Sequence, residues 1–210
     1  MAITNGYATL AQLREHLGDT GTTLTAAVAE RAIEAASRAI DRHCGRKFWL
    51  DAAVAVRVYR PDDAYVAWVD DIGTTTGLVI KTDTTGDGGY ATTWASTDYQ
   101  IEPLNADVVA AGDTVTPYAW WRIVAIDRYT FPRATRRHTL QVTARFGWSA
   151  IPDDVEQACL LKAAALYERR NSVQGVAGFN GFGEVRISRF EDPDVAALVG
   201  PYVRHTVRAV

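Results

Sequence analysis

Cysteine is scarce in this sequence, and long apolar runs are absent. Cys44 and Cys159 are the only cysteines among 210 residues, and both lie in apolar helical patterns typical of small buried side chains rather than of a disulfide framework. A membrane span needs about eighteen consecutive apolar residues, and no stretch of the sequence is that long. The N-terminus lacks the basic and apolar segments of a signal peptide. We therefore expect a soluble protein made in a reducing cytoplasm.

The sequence also lacks an excess of positive charge. Its formal net charge is −3 and its pI is about 5.8, which argues against a protein that wraps nucleic acid through its overall field. The one basic cluster, Arg133, Arg136, Arg137 and His138, lies close to Phe131. A solvated loop is the favoured interpretation of this cluster, and contact with phosphate or with an acidic partner is the alternative.

Residue patterns that would carry chemistry are missing too. The adjacent carboxylates are Asp62-Asp63, Asp70-Asp71 and Asp153-Asp154. Neighbouring side chains point apart on a strand, and the last pair is explained by helix capping. The histidines are scattered, the segment 83–89 lacks the ligand spacing of an EF-hand, and the glycines between 175 and 183 lack the lysine and the helix of a phosphate loop. The sequence therefore predicts no catalytic residue, no metal site and no cofactor, and the protein is not expected to be an enzyme.

Capping and periodicity predict two helices at the start of the chain. Thr9 followed by Gln12 is a capping-box pattern, and Gly18 follows the last turn of this short helix. A longer helix is predicted from about residue 25 to residue 44, with an apolar stripe, a charged face and Gly45 at its end. Together they form a helical hairpin.

A third helix and a glycine-rich tail are predicted at the other end. The Pro-Asp-Asp sequence at 152–154 is expected at a helix start. Residues 158–167 carry one charge and are otherwise apolar, so this helix must be covered on nearly every side. The tail offers a possible strand at 184–188 and a last short helix at 194–199, capped by Asp192.

Between residues 48 and 148 the apolar pattern changes to strict alternation of β-branched and aromatic residues with other types. The predicted strands are 54–58, 65–69, 78–82, 99–102, 123–126 and 140–146. The segment 83–89 has the composition of a hairpin tip, and 103–117 is expected to be the loosest connection. We expect an α+β protein in which a helical bundle, residues 1–50 and 149–210, carries a β-rich antiparallel insertion, residues 51–148, between its second and third long helices.

The ends of the chain resemble the head-to-tail connector (adaptor) proteins of tailed bacteriophages, particularly those of actinobacterial siphophages. The segments that carry the resemblance are YATLAQLREHLG at 7–18, IEAASRAIDRHCGRKFW at 33–49, RFGWSAIPDDVEQACLLKAAALYERRNSVQGVAGFNGFGEVRIS at 145–188 and DPDVAALVGPY at 192–202. Their order and joint presence give the match its specificity. Minimal members of the family lack the β-rich block, which looks like an insertion.

The resemblance implies a structural virion protein of the neck, at the head-tail interface. It implies a homo-oligomeric ring, typically dodecameric, between the portal protein and a stopper or tail-completion protein. DNA would pass through the channel without being read, and no membrane would be contacted. A different neck protein such as a stopper is one alternative, and a carbohydrate-binding module or small enzyme using the aromatic-rich sheet is another.

Two groups of residues are predicted to contact partners. The tail, residues 175–202, is the candidate portal-docking element, and the alternative is that its aromatics cover the open end of the helices within one subunit. Its candidate residues are Phe179, Phe182, Val185, Arg186, Ile187, Arg189 and Tyr202. The sheet is the candidate subunit interface, with Trp68, Trp94, Trp120, Trp121, Arg133, Arg136 and Arg137 as its candidate residues.

Overall fold

The chain folds as an α+β protein, which confirms the predicted class. A computed structural model describes residues 3–19, 24–104, 119–132, 138–169, 176–177, 185–186 and 192–204. The chain divides into two compact units. We call residues 1–46 with 151–210 the helical unit, and residues 47–150 the sheet unit.

Helix α1, Leu10–His16, begins at the predicted capping box. The backbone N–H of Gln12 donates to the Thr9 hydroxyl at 3.2 Å, and the backbone N–H of Thr9 donates to the Gln12 side chain at 2.7 Å. This reciprocal pair satisfies two backbone donors that would otherwise lack helical partners. The Gln12 side chain also donates to Glu156 Oε1 at 2.6 Å, which ties α1 to the third helix.

Helix α2, Ala26–Cys44, ends at the predicted glycine. Gly45 has a φ of 65°, a left-handed conformation that costs glycine little and other residues more. Its buried side chains are mostly small: Ala29, Ala32, Ile33, Ala36, Ser37, Ile40 and Cys44. Small side chains let another helix approach closely, and helix α3, Asp153–Glu168, packs along this face.

Helix α3 receives its cover from helices of the same chain. It begins after Pro152 with acidic residues in its first turn, as predicted. It contacts α1, α2 and helix α4, Pro193–Val199. Its buried side chains are Val155, Ala158, Cys159, Leu160, Ala163, Ala164 and Tyr167. Leu161 and Leu166 are half-buried and Ala165 is exposed, so the cover is extensive but not complete.

The chain between α3 and α4 contains a short antiparallel ladder. Strand β7, Val176–Ala177, pairs with strand β8, Val185–Arg186. The predicted strand at 184–188 contains β8, whereas β7 was not predicted. Helix α4 then begins as expected, because the Asp192 side chain accepts a hydrogen bond of 3.0 Å from the backbone N–H of Asp194. A 3₁₀ turn, Gly200–Tyr202, follows it.

The sheet unit holds six strands in which every described pairing is antiparallel. They are β1 Ala55–Tyr59, β2 Val66–Thr82, β3 Thr92–Trp94, β4 Tyr99–Glu102, β5 Trp120–Ala125 and β6 Leu140–Phe146. Their order is β1-β6-β2-β5-β4, and β3 also pairs with β2. The β3 strand was not predicted, and the predicted connection 103–117 lies outside the described residues apart from its first two positions.

Strand β2 differs from the sequence prediction, which divides it into two strands at 65–69 and 78–82. It is continuous from Val66 to Thr82 because its two halves pair with different partners. The first half pairs with β5, and the second half pairs with β6 and β3. Register shifts between Trp68 and Ile72, and again before Val79, interrupt the alternation that a sequence pattern can detect.

The core of the sheet unit lies on one face of these strands. Its largest fully buried side chains include Ile72, Ile80, Ile123, Leu140 and Phe146. Phe48 and Trp148, which flank the sheet in sequence, also bury their rings against each other, with centroids 5.1 Å apart. Gly147 permits this arrangement, since a Cβ at its position would lie 1.8 Å from the Trp49 carbonyl oxygen.

The predicted hairpin tip at 83–89 does connect two paired strands, β2 and β3. Asp83 organises it, because its carboxylate accepts hydrogen bonds from the backbone N–H of Gly86 at 2.7 Å and of Gly88 at 2.8 Å. Burial raises the pKa of Asp83, but these backbone donors outweigh burial and leave its pKa below the ordinary value. The loop is therefore a turn built on a carboxylate.

Candidate partner interfaces

The last part of the predicted docking tail belongs to the interior of the helical unit. Tyr202 is only 3% exposed, and its hydroxyl donates to Asp154 Oδ2 at 3.2 Å, at the start of α3. Val195 and Val199 of α4 are buried as well. The backbone N–H of Arg204 donates to the Cys44 carbonyl oxygen at 2.8 Å. The chain from 192 to 204 therefore closes the helical unit, and Tyr202 has little surface left for a partner.

The remaining candidates of the tail lie in the chain between α3 and α4. Val185 and Arg186 form β8, the second strand of the short ladder. Phe179, Phe182, Ile187 and Arg189 lie outside the described residues. The described chain on either side of this segment is helical, since α3 ends at Glu168 and α4 begins at Pro193.

The buried cysteine and tyrosine side chains of the helical unit, and the half-buried Asp41, have structural roles. Cys44 and Cys159 are both buried, as expected, and burial raises the pKa of Cys159. The Tyr7 hydroxyl donates to Asp41, and the backbone N–H of Tyr7 donates to the Ser37 hydroxyl at 3.0 Å. Burial also raises the pKa of Asp41, against the opposing effects of Tyr7 and Arg38. These contacts fasten the segment before α1 onto α2.

Two of the four candidate tryptophans lie in the core of the sheet unit. Trp94 is 6% exposed and Trp120 is 7% exposed. The Trp94 ring stacks on Phe131, with centroids 4.8 Å apart, and its Nε1 donates to the Thr82 hydroxyl at 3.1 Å. Their rings therefore stabilise the subunit itself and offer little area to another one.

Trp68 is the candidate tryptophan that reaches the surface. Its side chain is 47% exposed, and Tyr65 nearby in sequence is 54% exposed. The Arg122 guanidinium lies 5.5 Å from the centre of the Trp68 ring and is paired with Glu102. Trp121 is half-buried, and Arg133, Arg136 and Arg137 lie outside the described residues. An exposed tryptophan held by an arginine is a typical anchor of protein interfaces.

The adjacent carboxylates have structural partners. Asp63 accepts hydrogen bonds from the backbone N–H of Tyr65 and Val66, at 2.6 and 2.8 Å, and so shapes the turn before β2. Asp70 pairs with Arg57 at 2.6 Å, and Asp71 accepts a hydrogen bond from the Trp148 indole at 3.1 Å.

Among the described residues, no group of three or more His, Cys, Asp or Glu side chains could hold a metal ion. None of the helices in the described ranges has the length and apolar character that crossing a bilayer requires.

Sequence reasoning missed an exposed apolar group on β1 and next to it. Val54, Val56 and Val58 are 51%, 59% and 44% exposed. The alternation of these valines marks a strand, but valine in alternation with arginine ordinarily suggests that the valines face the core. The sequence offered no signal for their exposure, because it depends on which face of β1 packs against β6 and the core.

Solved structures share this fold. The chain is similar to a chain of the neck of an empty GTA particle computed with C6 symmetry, with a TM-score of 0.55 and 22% identity over 100% of this chain and 95% of that one. It is also similar to a chain of the virion of a native gene transfer agent (GTA) particle, with a TM-score of 0.52 and 23% identity over 100% and 95% of the two chains. The fold is one found in a phage-like neck. No family model and no curated protein matches the sequence.

Proposed function

We propose that this chain is a head-to-tail adaptor, a structural protein of the virion neck that performs no chemistry. The observation that carries the proposal is the likeness of the whole chain, helical unit and sheet unit together, to a chain of a particle neck. The sequence segments at both ends, which resemble phage connector proteins, point to the same place independently of the fold. Helices α1 to α4 would then be the helical bundle of that family, and the sheet unit would be its insertion.

The adaptor would work as a ring around the DNA channel. The neck to which this chain is similar was computed with C6 symmetry, which supports a cyclic arrangement of copies here. In a cyclic ring each subunit contacts its two neighbours through different patches of its surface. A dodecamer is the stoichiometry that the sequence resemblance implies.

The portal protein would bind one face of this ring, and a stopper or tail-completion protein the other. We retain the chain between α3 and α4 as the portal-docking element, with Phe179, Phe182, Val185, Arg186, Ile187 and Arg189 as its contacts. Aromatic residues among glycines can order on a partner and fill apolar pockets there. The buried position of Tyr202 removes that residue from the docking proposal.

A carbohydrate-binding module is less well supported by the sheet unit. Such a module needs aromatic rings on an open surface, and the burial of Trp94 and Trp120 in the core leaves Trp68 and Tyr65 as the exposed aromatic side chains of the described residues. A stopper protein is the closer alternative, because it would also belong to a neck. It differs from an adaptor in its partner, since a stopper binds an adaptor ring and an adaptor binds the portal.

Assembly with the portal protein of the same genome tests the proposal. The purified chain should form a multi-subunit ring, alone or seated on the portal, in native mass spectrometry and in electron micrographs of the same sample. A chain that stays monomeric and ignores the portal would contradict the adaptor role. A chain that binds only a preassembled ring of another neck protein would indicate a stopper.

A paired substitution tests the docking element without disturbing α4. Phe179→Ser with Phe182→Ser should weaken portal association at least tenfold and leave the melting temperature unchanged, whereas Asn180→Ser should change neither. Deleting residues 175–202 would be a poor test, because it also removes the buried Val195, Val199 and Tyr202. Portal binding that survives the double substitution would remove these aromatics from the interface.

A further inference from the structure

The start of β2 is an apolar segment that is well suited to pairing with another strand. Residues 65–69, Tyr-Val-Ala-Trp-Val, are uncharged, rich in β-branched and aromatic side chains, and contain no proline. Windows of this kind form intermolecular sheets when their backbone is open. Tyr65 is 54% exposed and Trp68 is 47% exposed, so the segment lies at the surface of the sheet unit. Its backbone therefore needs protection from other chains.

Among the described strands, this segment is paired on one side only. On that side it pairs with β5, and the Tyr65 carbonyl oxygen accepts a hydrogen bond from the backbone N–H of Ala125 at 2.8 Å. On the other side, the described pairing of β2 with β6 begins only at Ile72. Since successive residues of a strand direct their N–H groups to opposite sides, Val66 and Trp68 direct theirs away from β5. The segment is therefore an edge of the sheet.

Side-chain oxygens take the place of the missing strand along this edge. The backbone N–H of Val66 donates to Asp63 Oδ1 at 2.8 Å, and the backbone N–H of Trp68 donates to Asp62 Oδ2 at 3.1 Å. The Val66 carbonyl oxygen accepts from the backbone N–H groups of Asp62 and Asp63, at 3.2 and 3.3 Å. The turn before β2 thus satisfies backbone groups that a neighbouring strand would otherwise bind.

Tyr59 continues the row of acceptors. Its hydroxyl accepts from the backbone N–H of Asp70 at 3.3 Å and donates to the Asp70 carboxylate at 3.0 Å. We call Asp62, Asp63 and Tyr59 the edge seal. Two adjacent carboxylate pairs of the sequence flank the apolar segment, because Asp62 and Asp63 precede it and Asp70 and Asp71 follow it. Charges placed in this way disfavour the addition of a strand-forming segment to another chain.

We propose that the edge seal keeps this half of β2 from pairing with a second copy of the chain. A second copy is the expected partner, because two identical edges can pair through the same patch on both molecules. The seal satisfies the backbone of β2 without presenting the regular row of donors and acceptors that an added strand requires. This inference concerns the folded subunit and goes beyond the adaptor function, since it holds for a monomer as well as for a ring.

Opening the edge tests the inference. Asp62→Ala with Tyr59→Phe removes two acceptors and keeps Asp63, which also shapes the turn. In sedimentation velocity this open variant should form species larger than those of the parent, at protein concentrations at least tenfold lower. The matched control, Glu15→Ala, removes the same charge from an exposed position on α1 and should behave like the parent. An open variant that associates no more than this control would overturn the inference.

A proline on the outward side of the strand shows whether the association occurs at this edge. Proline has no N–H to donate and is tolerated where that N–H does not serve a ladder. Added to the open variant, Trp68→Pro should restore the behaviour of the parent. Trp68→Val removes the same ring but keeps the N–H, so it should leave the association in place. Association that survives Trp68→Pro, or that Trp68→Val also abolishes, would overturn the inference.

Amide exchange measures the seal within one subunit. In Asp62→Ala the backbone N–H of Trp68 should exchange at least tenfold faster than in the parent, whereas that of Ala67, on the β5 side, should not change. Asp62→Asn keeps a side-chain oxygen as acceptor and should retain the protection. A Trp68 amide that exchanges equally in Asp62→Ala and in the parent would show that Asp62 does not protect the edge, and would overturn the inference.

Discussion

The helical unit and the sheet unit treat their apolar side chains differently. Every large apolar side chain that is exposed in the described part of the chain belongs to the sheet unit: Val54, Val56, Val58, Tyr65, Trp68 and Leu104. In the described part of the helical unit the large apolar residues are buried or half-buried, and even the C-terminal Tyr202 is inside. The described part of the helical unit thus leaves no large apolar side chain exposed, whereas the sheet unit presents apolar surface of the kind that interfaces cover.

This difference is the opposite of what the sequence suggests about which unit exposes apolar surface. A helix that is apolar on all sides suggests that neighbouring subunits must cover it, but α1, α2 and α4 cover most of α3 within the chain. The sheet unit, with an ordinary alternating pattern, is where apolar surface remains.

The tryptophans make the comparison of the two units measurable, because all six lie in the sheet unit. Their fluorescence reports on that unit, and far-UV circular dichroism of the helices reports on the other.

The largest expected effect is on the free energy of unfolding, and it should differ strongly between Trp94 and Trp68 of the sheet unit. Trp94→Ala should lower the free energy of unfolding by about 3–5 kcal/mol, because it removes a buried ring stacked on Phe131. Trp68→Ala should lower it by about 1 kcal/mol or less, because that ring is half-exposed and makes one cation–π contact. Urea unfolding followed by the other tryptophans measures both values. Equal losses would contradict the distinction between core and interface tryptophans.

The second prediction concerns the closure of the helical unit. Tyr202→Ala should cost about 3–4 kcal/mol, because it leaves a cavity beside α3. Tyr202→Phe should cost about 1 kcal/mol, since it removes only the hydrogen bond to Asp154. Circular dichroism during urea unfolding measures the loss in the helical unit. If Tyr202→Ala left the helical signal unchanged and reduced portal binding instead, the tyrosine would be a docking residue after all.

Helix boundaries were predictable because their signals are local. The capping box at Thr9, the left-handed Gly45 and the Asp192 cap each act on backbone groups a few residues away. The course of β2 was not predictable in the same way. It depends on pairing with β5 and β6, which lie far along the chain, and on register shifts that break its alternation.

The candidate site was harder to predict than the fold. An arginine in alternation with valines ordinarily faces water, yet Arg57 faces inward because Asp70, Asp51 and the Phe146 ring all meet it there. Those partners are distant or irregularly spaced in sequence, so the pattern alone cannot reveal them. Tyr202 shows the opposite error. Its apolar sequence context suggests a residue available for docking, but its side chain is buried and its hydroxyl donates to Asp154 in α3.

A third prediction uses pH to probe the turn at Asp83. Its pKa in the folded protein lies below the ordinary value of 3.8, so the ionised group stabilises the fold above that value, and this stability is lost as pH falls through the folded pKa. Asp83→Asn should therefore lower the urea midpoint of tryptophan fluorescence at pH 7, and the difference from the parent should shrink in strong acid. A constant difference at every pH would assign the effect of Asp83→Asn to shape rather than charge.

The smallest expected effect is at Val56, an exposed valine of β1. Val56→Thr should change the free energy of unfolding by less than about 0.5 kcal/mol, because the side chain is 59% exposed and threonine keeps the β-branched shape. Val142→Thr on the neighbouring strand β6 should cost about 1–3 kcal/mol, because Val142 is 0% exposed and the new hydroxyl would be buried in the core. Tryptophan fluorescence during urea unfolding of the monomer compares the two. A loss at Val56 as large as at Val142 would show that the Val56 side chain stabilises its own subunit despite its exposure.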